Sequence, residues 1–125
     1  MVEHFQYLYD LHLKRHKEGG DGVLFYVAKP YTVVFWLDGI ITALTVPEGT
    51  ATDFASIPKI MPRFLLDKLG PHVEAAVVHD YLCVKRLYTS LIAADIFLAG
   101  LEAAGVPWLT RHAMHKAVVL FGPRW

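Results

Sequence analysis

The chain reads as an α+β fold, with a small antiparallel β-sheet in the N-terminal half packed against a C-terminal bundle of about three α-helices. Three observations predict it. Apolar residues alternate at period two before Pro58 and recur at helical spacing after it. Asp38-Gly39 is a two-residue hairpin signal, because the favoured turn needs φ > 0 at both central positions. Pro71, Gly105, Pro107 and Gly122-Pro123 punctuate the second half where helices begin and end.

Taken in order, Phe5, Tyr7, Tyr9, Leu11 and Leu13 alternate with mostly polar neighbours and predict a strand. Lys14 to Gly22 is polar and glycine-rich and reads as a loop. Val23 to Val27 and Tyr31 to Leu37 are rich in β-branched and aromatic residues, the types that suit a half-buried pleated surface. Lys29-Pro30 separates them, and Ile40 to Val46 returns from the hairpin turn. Thr50 to Pro58 is too polar for a strand and too short for a helix. A weak helical turn is expected near Arg63 to Leu69. One helix then runs from Pro71 to about Lys85. A second, capped by Thr89 or Ser90, runs to Ala104 and stops at Gly105. A third opens at Pro107 and closes at Gly122-Pro123. Residues 1–58, mainly β, and 59–125, mainly α, are each too small to stand alone, so one domain is expected over 1–125.

Composition narrows the function. Apolar residues make up 54% of the 125 and charged ones 19%, which excludes a disordered chain. Twelve basic residues balance twelve acidic ones, so nothing in the charge favours nucleic acid or an anionic membrane. Near-zero net charge favours self-association. Cys83 is the one cysteine, which rules out an internal disulfide. No apolar run reaches the length of a membrane span, and the start of the chain lacks the pattern of a signal peptide.

The segment Ala75-Ala76-Val77-Val78-His79-Asp80-Tyr81-Leu82 sets a histidine and a carboxylate into an apolar helix. Burying such groups without partners costs several kcal/mol, so they are expected to find one another. Asp95, with Leu91 and Leu98 on its face, lies on the next helix. Two amphipathic helices joined by a short loop pack antiparallel, so Asp95 is expected to meet His79 across the seam. A carboxylate on one ring nitrogen fixes the tautomer and makes the other a better base. The plainer alternative is a buried pair that only orients two helices. Asp53, with Thr52 and Ser56, sits at the sheet-to-helix junction, well placed to face the pair; local turn and cap bonds are its plainer use. Asp53 and Asp80 are candidate metal ligands. Their oxygens suit calcium, and an added imidazole shifts the choice toward zinc. Thr52, Ser56 and Tyr81 are the candidate substrate-binding residues. His112 and His115 read as a solvated helix face, Trp108 and Trp125 as anchors of the last helix, and Cys83 as an inert buried thiol.

Several segments occur in an order that resembles domain of unknown function 1353, found in tailed bacteriophages and prophages. They are Val46-Pro47-Glu48-Gly49-Thr50, Thr52-Asp53-Phe54-Ala55-Ser56-Ile57-Pro58, Ala75 to Leu82, Ala94-Asp95-Ile96-Phe97 and Ala117 to Gly122. The resemblance spans roughly residues 23 to 125 and implies a phage origin without supplying an activity. His79-Asp80 followed by Asp95 is also similar to the helix pair of phospholipase A2. That likeness implies His79 as base, Asp80 as calcium ligand and Asp95 as orienting group, although the disulfides and the glycine- and cysteine-rich calcium loop of that family are missing. Two functions are therefore expected in competition. One is a small phage hydrolase using a His79–Asp95 dyad, with Asp53 and Asp80 holding a metal or substrate. The other is a non-catalytic virion, tail or assembly component, with phage virion proteins as partners and the polar cluster as a structural network. The expected location is the host cytoplasm during infection or the phage particle.

Overall fold

The structure, a computed structural model, describes residues 1–16, 24–52 and 72–125. Among the described residues six strands precede three helices: β1 (Val2–Tyr7), β2 (Leu13–His16), β3 (Leu24–Val27), β4 (Tyr31–Leu37), β5 (Ile40–Val46), β6 (Ala51–Thr52), α1 (His72–Lys85), α2 (Ser90–Ala103) and α3 (Trp108–Phe121). The strands form two antiparallel three-stranded sheets, ordered β1-β4-β5 and β2-β3-β6. The architecture is α+β.

The hairpin β4–β5 forms as its sequence dictates. Asp38 and Gly39 take φ of +50° and +82°, and pairing runs unbroken from Leu37↔Ile40 to Tyr31↔Val46. Along β4 the alternating residues Tyr31, Val33 and Phe35 are fully buried, while Trp36 faces out.

Three strand expectations need correction. The run from Phe5 to Leu13 is two strands. β1 ends at Tyr7, and β2 starts at Leu13 and continues through Lys14 to His16, read from sequence as loop. Pairing of those residues with β3 supplies what local propensity does not. β6 is the third, because Thr52 pairs with Phe25 despite its polar surroundings.

The helices begin and end near the expected residues. The Thr89 hydroxyl caps α2 by accepting from the Ile92 amide at 3.2 Å. Past its end Gly105 takes φ +84°, a left-handed conformation glycine adopts without a Cβ penalty. The region proposed for a weak turn, residues 63 to 69, lies outside the described residues. Trp125 does anchor the C-terminal tail, its indole N–H donating to the Tyr88 carbonyl at 2.7 Å. Trp108, by contrast, is largely exposed and lies against the His112 ring at a tilt of 47°, with centroids 4.6 Å apart.

Among the described residues two apolar clusters are buried. One joins Val27, Tyr31, Val33, Phe35, Leu44 and Val46 of the strands to Val73, Val77, Val78, Leu82, Ala93 and Ile96 of the first two helices. The other lies among the helices, around Ala75, Ala76, Ala94, Phe97, Leu101, Met114 and Val118. Helix α1 therefore has neighbours on nearly every side, which is why His79 and Asp80 are both buried. Among the described residues no helix is long and apolar enough to cross a membrane.

Candidate functional site

The buried polar side chains among the described residues are Thr52, His72, His79 and Asp80. Two of them, Thr52 and Asp80, meet at one junction. The short pairing of β6 with β3 holds Thr52 against α1. Its hydroxyl donates to Oδ2 of Asp80. This bond links the end of the sheet to the middle of a helix across the length of chain from residue 52 to 80. A carboxylate 7% exposed gains an acceptor's partner there, and a hydroxyl 3% exposed gains an acceptor.

His79 follows the same helix inward and is 2% exposed. Its ring packs against Phe97 of α2 with centroids 5.0 Å apart. Cys83 Sγ, one turn on, lies 3.7 Å from both Nδ1 and Nε2. Burial lowers the His79 pKa to about 4, because an imidazolium loses its hydration there. The ring is thus neutral at physiological pH. Burial, with the Asp80 carboxylate adding to it, raises the Cys83 thiol to about 11. Cys83 therefore stays protonated at neutral pH and is no thiolate nucleophile.

Asp95 does not join this group. Its carboxylate accepts from or pairs with His115 Nε2 of α3 at 3.1 Å, and its side chain is 56% exposed. It lines a surface hollow of about 280 Å³ with Met1, Val2, Leu98, Ala99 and Glu102. Helix geometry gives the reason. The buried side of α2 is built from Ala93, Ala94, Ile96, Phe97, Gly100 and Leu101. Asp95 lies two residues before Phe97, about 200° round the helix, on the side carrying exposed Leu91. The residue α2 presents to His79 is Phe97. The small and apolar stripe decides which side turns in, over the stripe Leu91-Asp95-Leu98 that the sequence reading chose.

Tyr81 is half-buried and packs against the strand–helix cluster. Asp53 and Ser56 lie outside the described residues. Among the described residues no three His, Cys, Asp or Glu side chains gather closely enough to hold a metal ion.

A second polar junction was not anticipated. The Tyr31 hydroxyl donates to Oε2 of Glu74 at 2.9 Å, and the Tyr7 hydroxyl donates to the Gly100 carbonyl at 2.8 Å. The two rings stack with centroids 5.9 Å apart. Burial, reinforced by Glu74, pushes both phenols far above their ordinary pKa, so both remain donors. The signal available was the inward period of Phe5, Tyr7 and Tyr31, because a buried tyrosine hydroxyl needs an acceptor.

Comparison with known proteins gives a family without an activity. The family described as "Protein of unknown function (DUF1353)" matches residues 25–118. Two uncharacterised proteins of Sinorhizobium fredii (strain NBRC 101917 / NGR234) are similar. The protein y4jT is 37% identical over 81 residues, 64% of this chain and 24% of its own length. The protein y4iH is 32% identical over 79 residues, 62% of this chain and 33% of its own length. The matched stretch thus spans about a quarter to a third of these relatives. No solved structure matches.

Proposed function

The chain belongs to the DUF1353 family, and on that footing we propose that it is a non-catalytic assembly module, a virion or assembly component of a tailed phage or prophage, in which Thr52, His79 and Asp80 act as a structural lock. The observation that carries this reading is the buried Thr52–Asp80 hydrogen bond. It joins sheet to helix through two buried polar groups, and His79, next along the helix, is neutral and packed on Phe97. The matched relatives are several times longer than the matched stretch, which suits a module that works attached to or among other parts.

Thr52→Val tests the lock. It removes one hydrogen bond to a buried carboxylate and is expected to cost about 1–3 kcal/mol, while Thr52→Ser keeps the donor and most of the stability. Chemical denaturation of the two variants checks this. Quantitative mass spectrometry of purified particles checks the role: a fixed stoichiometry with the major particle proteins supports it, and absence from particles and from assembly intermediates overturns it.

One observation favours a second reading, a small hydrolase. The His79 imidazole is neutral at pH 7, the form a general base requires, and Asp80 follows it on the same helix. In that reading His79 is the base and Asp80, with Asp53, positions substrate or a calcium or zinc ion. Ester, amide and glycosidic substrates, assayed with and without each metal, test it. A folded His79→Ala protein retaining all turnover sinks it.

A further inference from the structure

Among the described residues, β5 is an edge strand with none of the usual protection. Edge strands expose unpaired backbone groups, and proteins blunt them with lysines, prolines, bulges or a covering element. The opposite edge, β1, has such devices: its register shifts between Glu3 and Gln6, His4 takes φ +54°, and α2 packs against it. β5, with sequence IITALTV, has no charged residue, no proline and no break in its pairing with β4. Five of its seven residues are β-branched. Among the described residues nothing pairs with its outer edge. Ile40 and Ile41 are 69% and 64% exposed.

The hairpin fixes which backbone groups face outward. In an antiparallel pair, residues alternate between exchanging hydrogen bonds with the neighbour and pointing their N–H and C=O away. The pair flanking a two-residue turn, here Leu37↔Ile40, is a hydrogen-bonded one. Counting on, Ile40, Thr42, Leu44 and Val46 bond to β4. Ile41, Ala43 and Thr45 direct their backbone groups to the free edge. This outward set is symmetric about Ala43.

We propose that β5 pairs antiparallel with β5 of a second copy about a two-fold axis at Ala43, joining two three-stranded sheets into one continuous sheet. Ala43 meets Ala43 of the second copy, and Ile41 meets its Thr45. All three facing pairs are of the hydrogen-bonded kind, giving about six inter-chain bonds. On the other side of the sheet exposed Ile40 gains Val46 of the second copy as a cross-strand neighbour. The interface is isologous, so it closes at two copies. Charge matches because the strand has none: laid on itself, it brings no like charges together between Ile40 and Val46. Just beyond its ends Asp38 comes opposite Glu48, and the Met1 ammonium already bonds Asp38. This pairing stands independently of whether the His79 junction is structural or catalytic.

Sedimentation velocity of the full chain, from micromolar to submillimolar concentration, tests it. The expected result is a reversible equilibrium between species of 14.1 kDa and twice that mass. Ala43→Lys places two ammonium groups opposite each other on the two-fold, on an exposed side chain that the isolated fold tolerates. Ala43→Pro removes an N–H that β4 does not use. Each is expected to weaken association by about tenfold or more, with the hairpin retained by circular dichroism. Leu109→Lys, on the exposed side of α3, leaves association unchanged. A wild-type chain that stays monomeric throughout, dimers indifferent to both Ala43 substitutions, or equal loss with Leu109→Lys overturns the proposal.

Discussion

His79 shows what burial does to a single titratable group. Folded, it stays neutral to about pH 4; unfolded, it takes up a proton near the ordinary value of 6.5. The unfolded state therefore binds more protons in that interval, and stability falls as pH is lowered through it. The full contribution is present above pH 6.5, and about 3 kcal/mol is lost by the time pH reaches the folded value, at about 1.4 kcal/mol per pH unit. Denaturation midpoints measured against pH check this: the wild-type protein loses stability between pH 6.5 and 4 more steeply than His79→Gln, which has no proton to gain. Equal slopes would show that His79 titrates normally. Cys83, held as a thiol beside this ring, is expected to react slowly with iodoacetamide at neutral pH.

Between elements, the approach of α2 to the sheet depends on Gly100. A Cβ there would lie 2.8 Å from the Tyr7 hydroxyl and 3.3 Å from the Ala75 Cβ. Gly100→Ala improves helix propensity, yet it forces α2 away from both β1 and α1. It is expected to destabilise by about 1–3 kcal/mol through overpacking, with loss of the Tyr7–Gly100 hydrogen bond visible in the tyrosine near-ultraviolet spectrum. The Asp95–His115 pair between α2 and α3 belongs at the other end of the scale. It is solvent-exposed on the carboxylate side, so Asp95→Ala is expected to cost under about 1 kcal/mol and to leave the His79 titration where it is. A shift of the His79 pKa in Asp95→Ala, read by NMR, would show instead that the two groups are coupled as the sequence pattern suggested.

For the molecule as a whole, the two apolar clusters decide cooperativity. The first contains residues of β3, β4 and β5 together with α1 and α2, and the second ties α1 and α2 to α3. Among the described residues the strands share their interior with α1 and α2 and have no apolar cluster of their own. We expect one calorimetric transition with equal calorimetric and van't Hoff enthalpies, and no folded product from residues 1–58 expressed alone. Two resolved transitions would show that strands and helices fold separately.

Much of this was readable in the sequence because it depends on short-range rules. The β4–β5 hairpin follows from Asp38-Gly39 between alternating strands, and α2 from Thr89 at one end and Gly105 at the other. The burial of His79 and Asp80 follows from their setting in an apolar run. What local pattern does not contain is the direction in which a side chain finds its partner. Asp95 and His79 each lie on a helix with two apolar stripes, and period alone does not choose between them. Close packing of Ala94, Phe97 and Gly100 against α1 and β1 turns Asp95 outward to His115. Thr52 lies in a polar segment whose strand exists only because Phe25 offers it backbone bonds. The sequence by itself determined the β4–β5 hairpin, the three C-terminal helices and which polar groups would be costly to bury. Only the tertiary structure decided that Asp80 would bond Thr52 and that Phe97 would face His79, because those choices rest on packing between segments far apart along the chain.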